Sequence, residues 1–296
     1  NGIVNVGGGK SDSIGIRVNH GSIENNNLVK INNGIGLYGS NGSKILNNTA
    51  GKIEITSPTD YGIGIAGFLS GATAQNYGTD KTISSLTGTL PTSVKTIDIT
   101  NNGKIKISGK AVGIYANNTS SIPNFDKHVT KENAVVNNNA SLSFGNDSIG
   151  IFSKKATINL TGTGTNDISV GERGIGVYAK DSSINFKSDY GFQIKDNGRG
   201  IYAEDTDTSS GNMKLNYIGR ASSRGIGMYF TGTSAMRNRL NLDVENISGS
   251  IKGMIGIYAS AAPFTNEGNI KIKNTNTSGF GIVSDNSDIT NKGNIP

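Results

Sequence analysis

The chain has 296 residues, of which 34% are hydrophobic and 6% aromatic, with 42 Gly, five Pro, no Trp and no Cys. So little bulky apolar material excludes a thick globular core and favours a thin one built from many short strands, and the lack of Cys excludes disulfides and thiolate metal sites. The formal charge of +6 comes from scattered Lys and Arg without a basic block, which is not the footprint of a nucleic-acid binder.

The first residues, Asn1-Gly2-Ile3-Val4-Asn5-Val6, have neither the basic start nor the apolar centre of a signal peptide. No apolar run approaches the ~20 residues of a membrane helix. A hexapeptide then returns along the whole chain. Its copies are Ser13-Ile-Gly-Ile-Arg-Val18, Gly34-Ile-Gly-Leu-Tyr-Gly39, Gly62-Ile-Gly-Ile-Ala-Gly67, Ala111-Val-Gly-Ile-Tyr-Ala116 and Ser148-Ile-Gly-Ile-Phe-Ser153. They continue as Gly174-Ile-Gly-Val-Tyr-Ala179, Gly198-Arg-Gly-Ile-Tyr-Ala203, Gly225-Ile-Gly-Met-Tyr-Phe230, Met254-Ile-Gly-Ile-Tyr-Ala259 and Gly279-Phe-Gly-Ile-Val-Ser284. The central glycines lie 21 to 29 residues apart, except for gaps of 49 after Gly64 and 37 after Gly113.

Between the copies runs a second strand type with alternating polarity, as in Gly51-Lys-Ile-Glu-Ile55, Gly103-Lys-Ile-Lys-Ile107 and Gly268-Asn-Ile-Lys-Ile272. A third element, Ile99-Thr-Asn-Asn-Gly103, Phe264-Thr-Asn-Glu-Gly268 and Ile289-Thr-Asn-Lys-Gly293, precedes it. Similar strands returning every ~25 residues stack best in parallel and in register. The expected fold is all-β: a right-handed parallel β-helix of about ten coils with about three short strands each, one solenoid fragment over 1–296. The last residues open another coil, so the chain reads as part of a longer solenoid whose ends present unpaired strand edges.

In the hexapeptide the fourth position is always apolar and the second is apolar in nine of ten copies, Arg199 being the exception. Alternation predicts that both face the core. The third position, always Gly, and the fifth, usually aromatic, then face outward, giving a ladder of rings beside a glycine groove. Asn runs, as in Asn25-Asn26-Asn27, Asn47-Asn48 and Asn137-Asn138-Asn139, fall where coils turn, and their amides are expected to bond along the axis.

Three features break the pattern. A protruding loop is expected over 68–96 and a smaller one over 120–131; long loops in a compact array are often binding elements. A basic zone holds Arg173, Arg199, Arg220, Arg224, Arg237 and Arg239. It reads either as a patch for acidic partners or as a solvated face paired with nearby carboxylates. Candidate partner-binding residues are therefore Tyr178, Tyr202 and Tyr229 of the ladder, Arg173, Arg199 and Arg224 of the basic zone, and Phe68 and Tyr77 of the first loop. The plainer reading of the tyrosines is a stabilising stack.

No catalytic constellation emerges. His20 and His128 fall in distant coils, and no phosphate loop, His-x-x-x-His pair or nucleophile elbow is present. No cofactor or metal is expected. A polysaccharide lyase or hydrolase is the enzymatic alternative. It needs carboxylates clustered on one face, and the best local group is Glu204, Asp205 and Asp207, in an expected turn.

Units of the form Gly-Ile-Gly-Ile-Tyr-Ala, followed by Ile-Thr-Asn-x-Gly-x-Ile-x-Ile, resemble those of passenger domains in large fusobacterial type V autotransporters, the RadD-like adhesins. The resemblance covers nearly the whole chain. It implies a secreted β-helical passenger on the cell surface, anchored to the outer membrane through a barrel not in this sequence. The implied role is attachment to host cells, through a surface protein or glycan, or to partner bacteria. Self-association and a toxin-like passenger are the alternatives within that class.

Overall fold

The computed structural model describes residues 2–7, 13–19, 21–40, 42–56, 61–68, 97–118, 134–220, 224–247, 253–273 and 279–296. These residues form an all-β parallel β-helix. Each coil lays one strand in each of three sheets. Lys52–Thr56, Gly62–Phe68 and Ile97–Asn101 are one such set, and Lys104–Ser108 begins the next. The first sheet has ten strands from Val4–Val6 to Ile270–Lys273, and the second has ten, from Ile14–Asn19 to Gly279–Asp285. The third side holds seven strands from Ser22–Asn25 to Asp207–Thr208, followed by Met236–Asn238, Phe264–Asn266 and Ile289–Asn291.

Neighbours pair in parallel and like meets like. In the first sheet, Val29, Ile53, Ile105, Leu142, Ile168, Phe192, Leu215 and Val244 stack through successive registers. Each is 0–1% exposed. Burying each side chain contributes roughly 1.5–3 kcal/mol. Early coils fill this core with Val and Ile, whereas from Phe144 onward Tyr190, Phe192, Tyr217, Phe230 and Phe264 thicken it.

The second sheet corrects the expected facing of the hexapeptide. Its fourth position is inward as expected, with Leu37, Ile65, Ile114, Ile151 and Ile201 fully buried. The second position is not inward: Ile35, Ile63, Val112, Ile149, Ile175, Arg199 and Ile226 are only half-buried, on the outer side. The central glycine is the inward one. A Cβ on Gly36 would meet the core side chains of Ile31 at 2.6 Å and Val29 at 3.2 Å. Positions three and four thus both face in, because each strand slips its alternation at the glycine. The ladder partners accordingly run from Ile14↔Ile35 to Ile16↔Leu37 without pairing the glycines. The glycines are held by lack of space: from Gly15 to Gly256, a Cβ would lie 2.5–2.8 Å from the next coil's glycine carbonyl oxygen. Among the described residues the hexapeptide glycines form no outer groove, and Arg199 breaks no core rule.

On the third side, asparagine amides stack through the interior. Asn25 Nδ2 donates to Asn47 Oδ1 at 2.8 Å, Asn47 to Asn101 at 2.7 Å and Asn101 to Asn138 at 2.8 Å. A second run links Asn238, Asn266 and Asn291 at 2.8 Å each. Asn266 Nδ2 also donates to the Gly268 carbonyl, which ties each turn to its own rung. Buried amides are thereby satisfied, as burial requires.

Candidate binding surface

The slip at the glycine puts positions two and five on one outer face of the second sheet. It carries an aliphatic row, from Ile35 to Ile226 with Arg199 inserted, beside an aromatic row. Strand register stacks Tyr178, Tyr202, Tyr229 and Tyr258 directly. Their rings lie 4.8–5.1 Å apart and within 16° of parallel. Tyr115 and Phe152 continue the stack at 4.8 and 5.1 Å. Each such pair adds roughly 0.5–1.5 kcal/mol beyond burial.

Phe68 is corrected from loop to ladder. It closes strand Gly62–Phe68, and its ring sits 5.4 Å from Tyr38 and 5.1 Å from Tyr115. It fills the gap left where the fifth position is Ala66, two residues earlier on the same face. The row is thus continuous from Tyr38 to Tyr258, and Arg17 stands over its first ring at 5.4 Å. The rest of the 68–96 interruption, with Tyr77, and all of 120–131 lie outside the described residues. Both interruptions join the second sheet to the third, in consecutive coils.

The Tyr178 and Tyr258 hydroxyls are held from the side. Tyr178 donates to Glu204 Oε2 at 2.7 Å, and Lys180 pairs with Glu204 Oε1. Tyr258 donates to Asp285 at 3.2 Å. Burial, then the bond to Glu204, raises the Tyr178 hydroxyl well above the ordinary tyrosine value. Burial first, and then the neighbouring Tyr229, raises Tyr202. The Lys180 ammonium holds the Glu204 carboxyl below its usual range. These rings spend both faces on one another, so only edges and oxygens meet solvent.

Among the described residues, three of the six basic-zone arginines pair with carboxylates. Arg173 grips Asp147 with two bonds of 2.7 Å, and Arg220 reaches Asp196 at 2.7 Å and Glu172 at 2.8 Å. Arg239 lies 3.3 Å from Glu267 and 3.7 Å from Asp207. Asp147, Arg173 and Asn197 share a left-handed corner with φ of 56°, 55° and 57°. Arg224 continues that corner, its backbone N–H bonded to Asn197 Oδ1 at 3.1 Å. Arg199 stands apart from them, its guanidinium 5.8 Å from the Tyr229 ring and its buried Nε without a hydrogen-bond partner among the described residues. The geometry favours the paired-face reading for Arg173, and joins Arg199 of this zone to the aromatic row.

The acidic group does not converge. Glu204 serves Lys180 and Tyr178, Asp205 accepts the backbone N–H of Thr233 and Ser234 at 2.7 Å each, and Asp207 that of Arg237 at 2.8 Å. These are corner-fixing bonds.

Sequence reasoning missed the outward aliphatic row. The signal that could have found it was Arg199 itself, a charge at a position otherwise read as core. Compared with known proteins, the chain matches no family model, no curated protein and no solved structure.

Proposed function

We propose that this chain is a surface-exposed segment of an adhesin passenger, a non-catalytic scaffold attaching its cell to host cells or other bacteria. It would be held at the outer membrane by a barrel outside this sequence. The observation that supports this reading is the outer face of the second sheet. There a half-open aliphatic row and an aromatic row run side by side from the Ile35 strand to the Ile226 strand, over six coil steps, ~29 Å. Extended apolar surface of that kind marks interaction sites on soluble proteins. Because the ring faces are already stacked, the face suits a protein surface packing on edges and aliphatic side chains better than a sugar seeking a ring face.

The test is attachment of the labelled chain to epithelial cells and to partner bacteria. Ile149→Lys, Ile175→Lys and Ile226→Lys together charge the aliphatic row and leave the rings and the core in place. Attachment weakened about tenfold or more in the folded triple variant supports the proposal. A wild-type chain that attaches to neither cell type, or a folded variant that attaches equally well, refutes it.

A further inference from the structure

The outer face of the first sheet carries a different construction. Four consecutive strands, centred on the buried residues Tyr190, Met213, Leu242 and Ile270, stand in register. On one flank their outward residues form an amide row. Asn212 Nδ2 donates to Asp189 Oδ1 at 2.9 Å, Asn241 Nδ2 to Asn212 Oδ1 at 3.1 Å, and the backbone N–H of Asn269 to Asn241 Oδ1 at 2.9 Å. On the other flank Gly191, Lys214, Asp243 and Lys271 lie in register. Between and around these rows is a groove of about 450 Å³, within the range of small-ligand sites.

One end of the groove is walled. Gly191 presents no side chain to the outer face, and a Cβ there would lie 2.5 Å from the Asn166 nitrogen and 2.8 Å from Gly164 carbon. The segment 162–166 lies on this strand. It is pinned by Asp167, 6% exposed, which accepts from Thr163 N at 2.8 Å, Gly164 N at 3.0 Å and Gly191 N at 2.8 Å. Asn216 Nδ2 adds a bond to Asn166 Oδ1 at 3.0 Å.

We infer that this groove binds a neutral oligosaccharide lying along the solenoid axis. Neither row carries an aromatic or aliphatic side chain, so the directional contacts the rows offer are hydrogen bonds and charges. The Asn212 and Asn241 carboxamides each use one N–H for a neighbour and keep a second donor and a spare lone pair. Donors and acceptors therefore recur at each ~4.8 Å step, which is what a chain of hydroxylated rings demands. The charges offset rather than accumulate. Lys214 and Lys271 flank Asp243 in register, Lys214 lies 3.9 Å from Glu245, and Asp243 is held by Lys273 at 2.6 Å. That balance disfavours a polyanion. The three coil steps span ~14 Å, a stretch of a few rings. The inference does not depend on attachment through the second sheet.

The test is calorimetric titration of the full chain with maltotetraose, cellotetraose, mannotetraose and the N-acetylglucosamine tetramer, with tetragalacturonate as the charged comparison. At least one neutral tetrasaccharide is expected to bind with a dissociation constant below about 1 mM. Asn212→Ala with Asn241→Ala is expected to weaken it about tenfold or more, and Lys271→Ala, made separately, to weaken it as well. The Ile149, Ile175 and Ile226 lysine variant is expected to bind as wild type. No neutral tetrasaccharide bound at ~10 mM overturns the inference, as does tightest binding to tetragalacturonate. If the double variant fails to fold, Lys271→Ala and the wild-type side-chain amide resonances of Asn212 and Asn241 decide. Resonances that stay still on adding sugar overturn it.

Discussion

The second sheet and the first sheet are built from the same coil, yet their outer faces differ in what stacking leaves over. Rings on the second sheet pile face to face at 4.8–5.1 Å and satisfy each other. On the first sheet Lys214, Asp243 and Lys271 alternate in sign through the register, which avoids like-charge repulsion. Apolar ladders are self-sufficient and stabilise the scaffold. The outward amide row of Asn212 and Asn241 retains unused donors and acceptors, and so remains open to a ligand.

The most severe way to break this contrast is to attack the seam both faces share. Gly176→Val would place its Cβ 2.5 Å from the Gly200 carbonyl oxygen and 2.7 Å from the Phe192 ring. A loss of roughly 4–5 kcal/mol is expected in denaturant unfolding. A loss under ~1 kcal/mol would show that the glycine ladder tolerates spreading. Next comes the direct comparison. Tyr178→Ser, Tyr202→Ser and Tyr229→Ser together remove four ring pairs, an expected cost of about 2–4 kcal/mol. Asn212→Ala with Asn241→Ala is expected to cost ~1 kcal/mol or less. Equal costs on the two faces would erase the distinction between structural and open ladders.

The smallest effect is a titration. The Tyr178, Tyr202 and Tyr258 hydroxyls are raised in the folded chain, chiefly by burial. A raised folded value means that the stabilising contribution is complete below the unfolded tyrosine value of about 10 and is lost as pH rises beyond it. Melting temperature is therefore expected to fall above that pH, together with the appearance of tyrosinate absorbance. Tyrosinate forming at ordinary pH without loss of structure would mean that the row is not packed as described.

Much of this was legible in the residues. The hexapeptide spacing gives the coil, the Ile-x-Ile alternation gives the first sheet, and the Ile-Thr-Asn-x-Gly turns give the third. The facing of the second position was signalled only by the charge at Arg199. Period-two alternation assumes an even pleat, and the slip occurs at a glycine that has no side chain to reveal its side. Phe68 was misread because its ring serves a position two residues back, a substitution visible only in three dimensions. The groove was illegible because its rows join single residues from coils about 25 apart, none of which forms a motif along the chain.

The asparagine rungs have a consequence for assembly. Every amide in the first run points the same way, Nδ2 of one coil toward Oδ1 of the next, so the dipoles add head to tail. The run ends at Asn138, whose amide donates to the Tyr190 hydroxyl at 3.0 Å while Leu160 takes the following place in register. A chain of near-identical repeats can skip a coil without penalty wherever neighbours are interchangeable. At this junction they are not: a skip would set a buried amide against hydrocarbon, costing about 1–3 kcal/mol. The change of residue type acts as a tally mark, by which a monotonous sequence keeps count of its own turns.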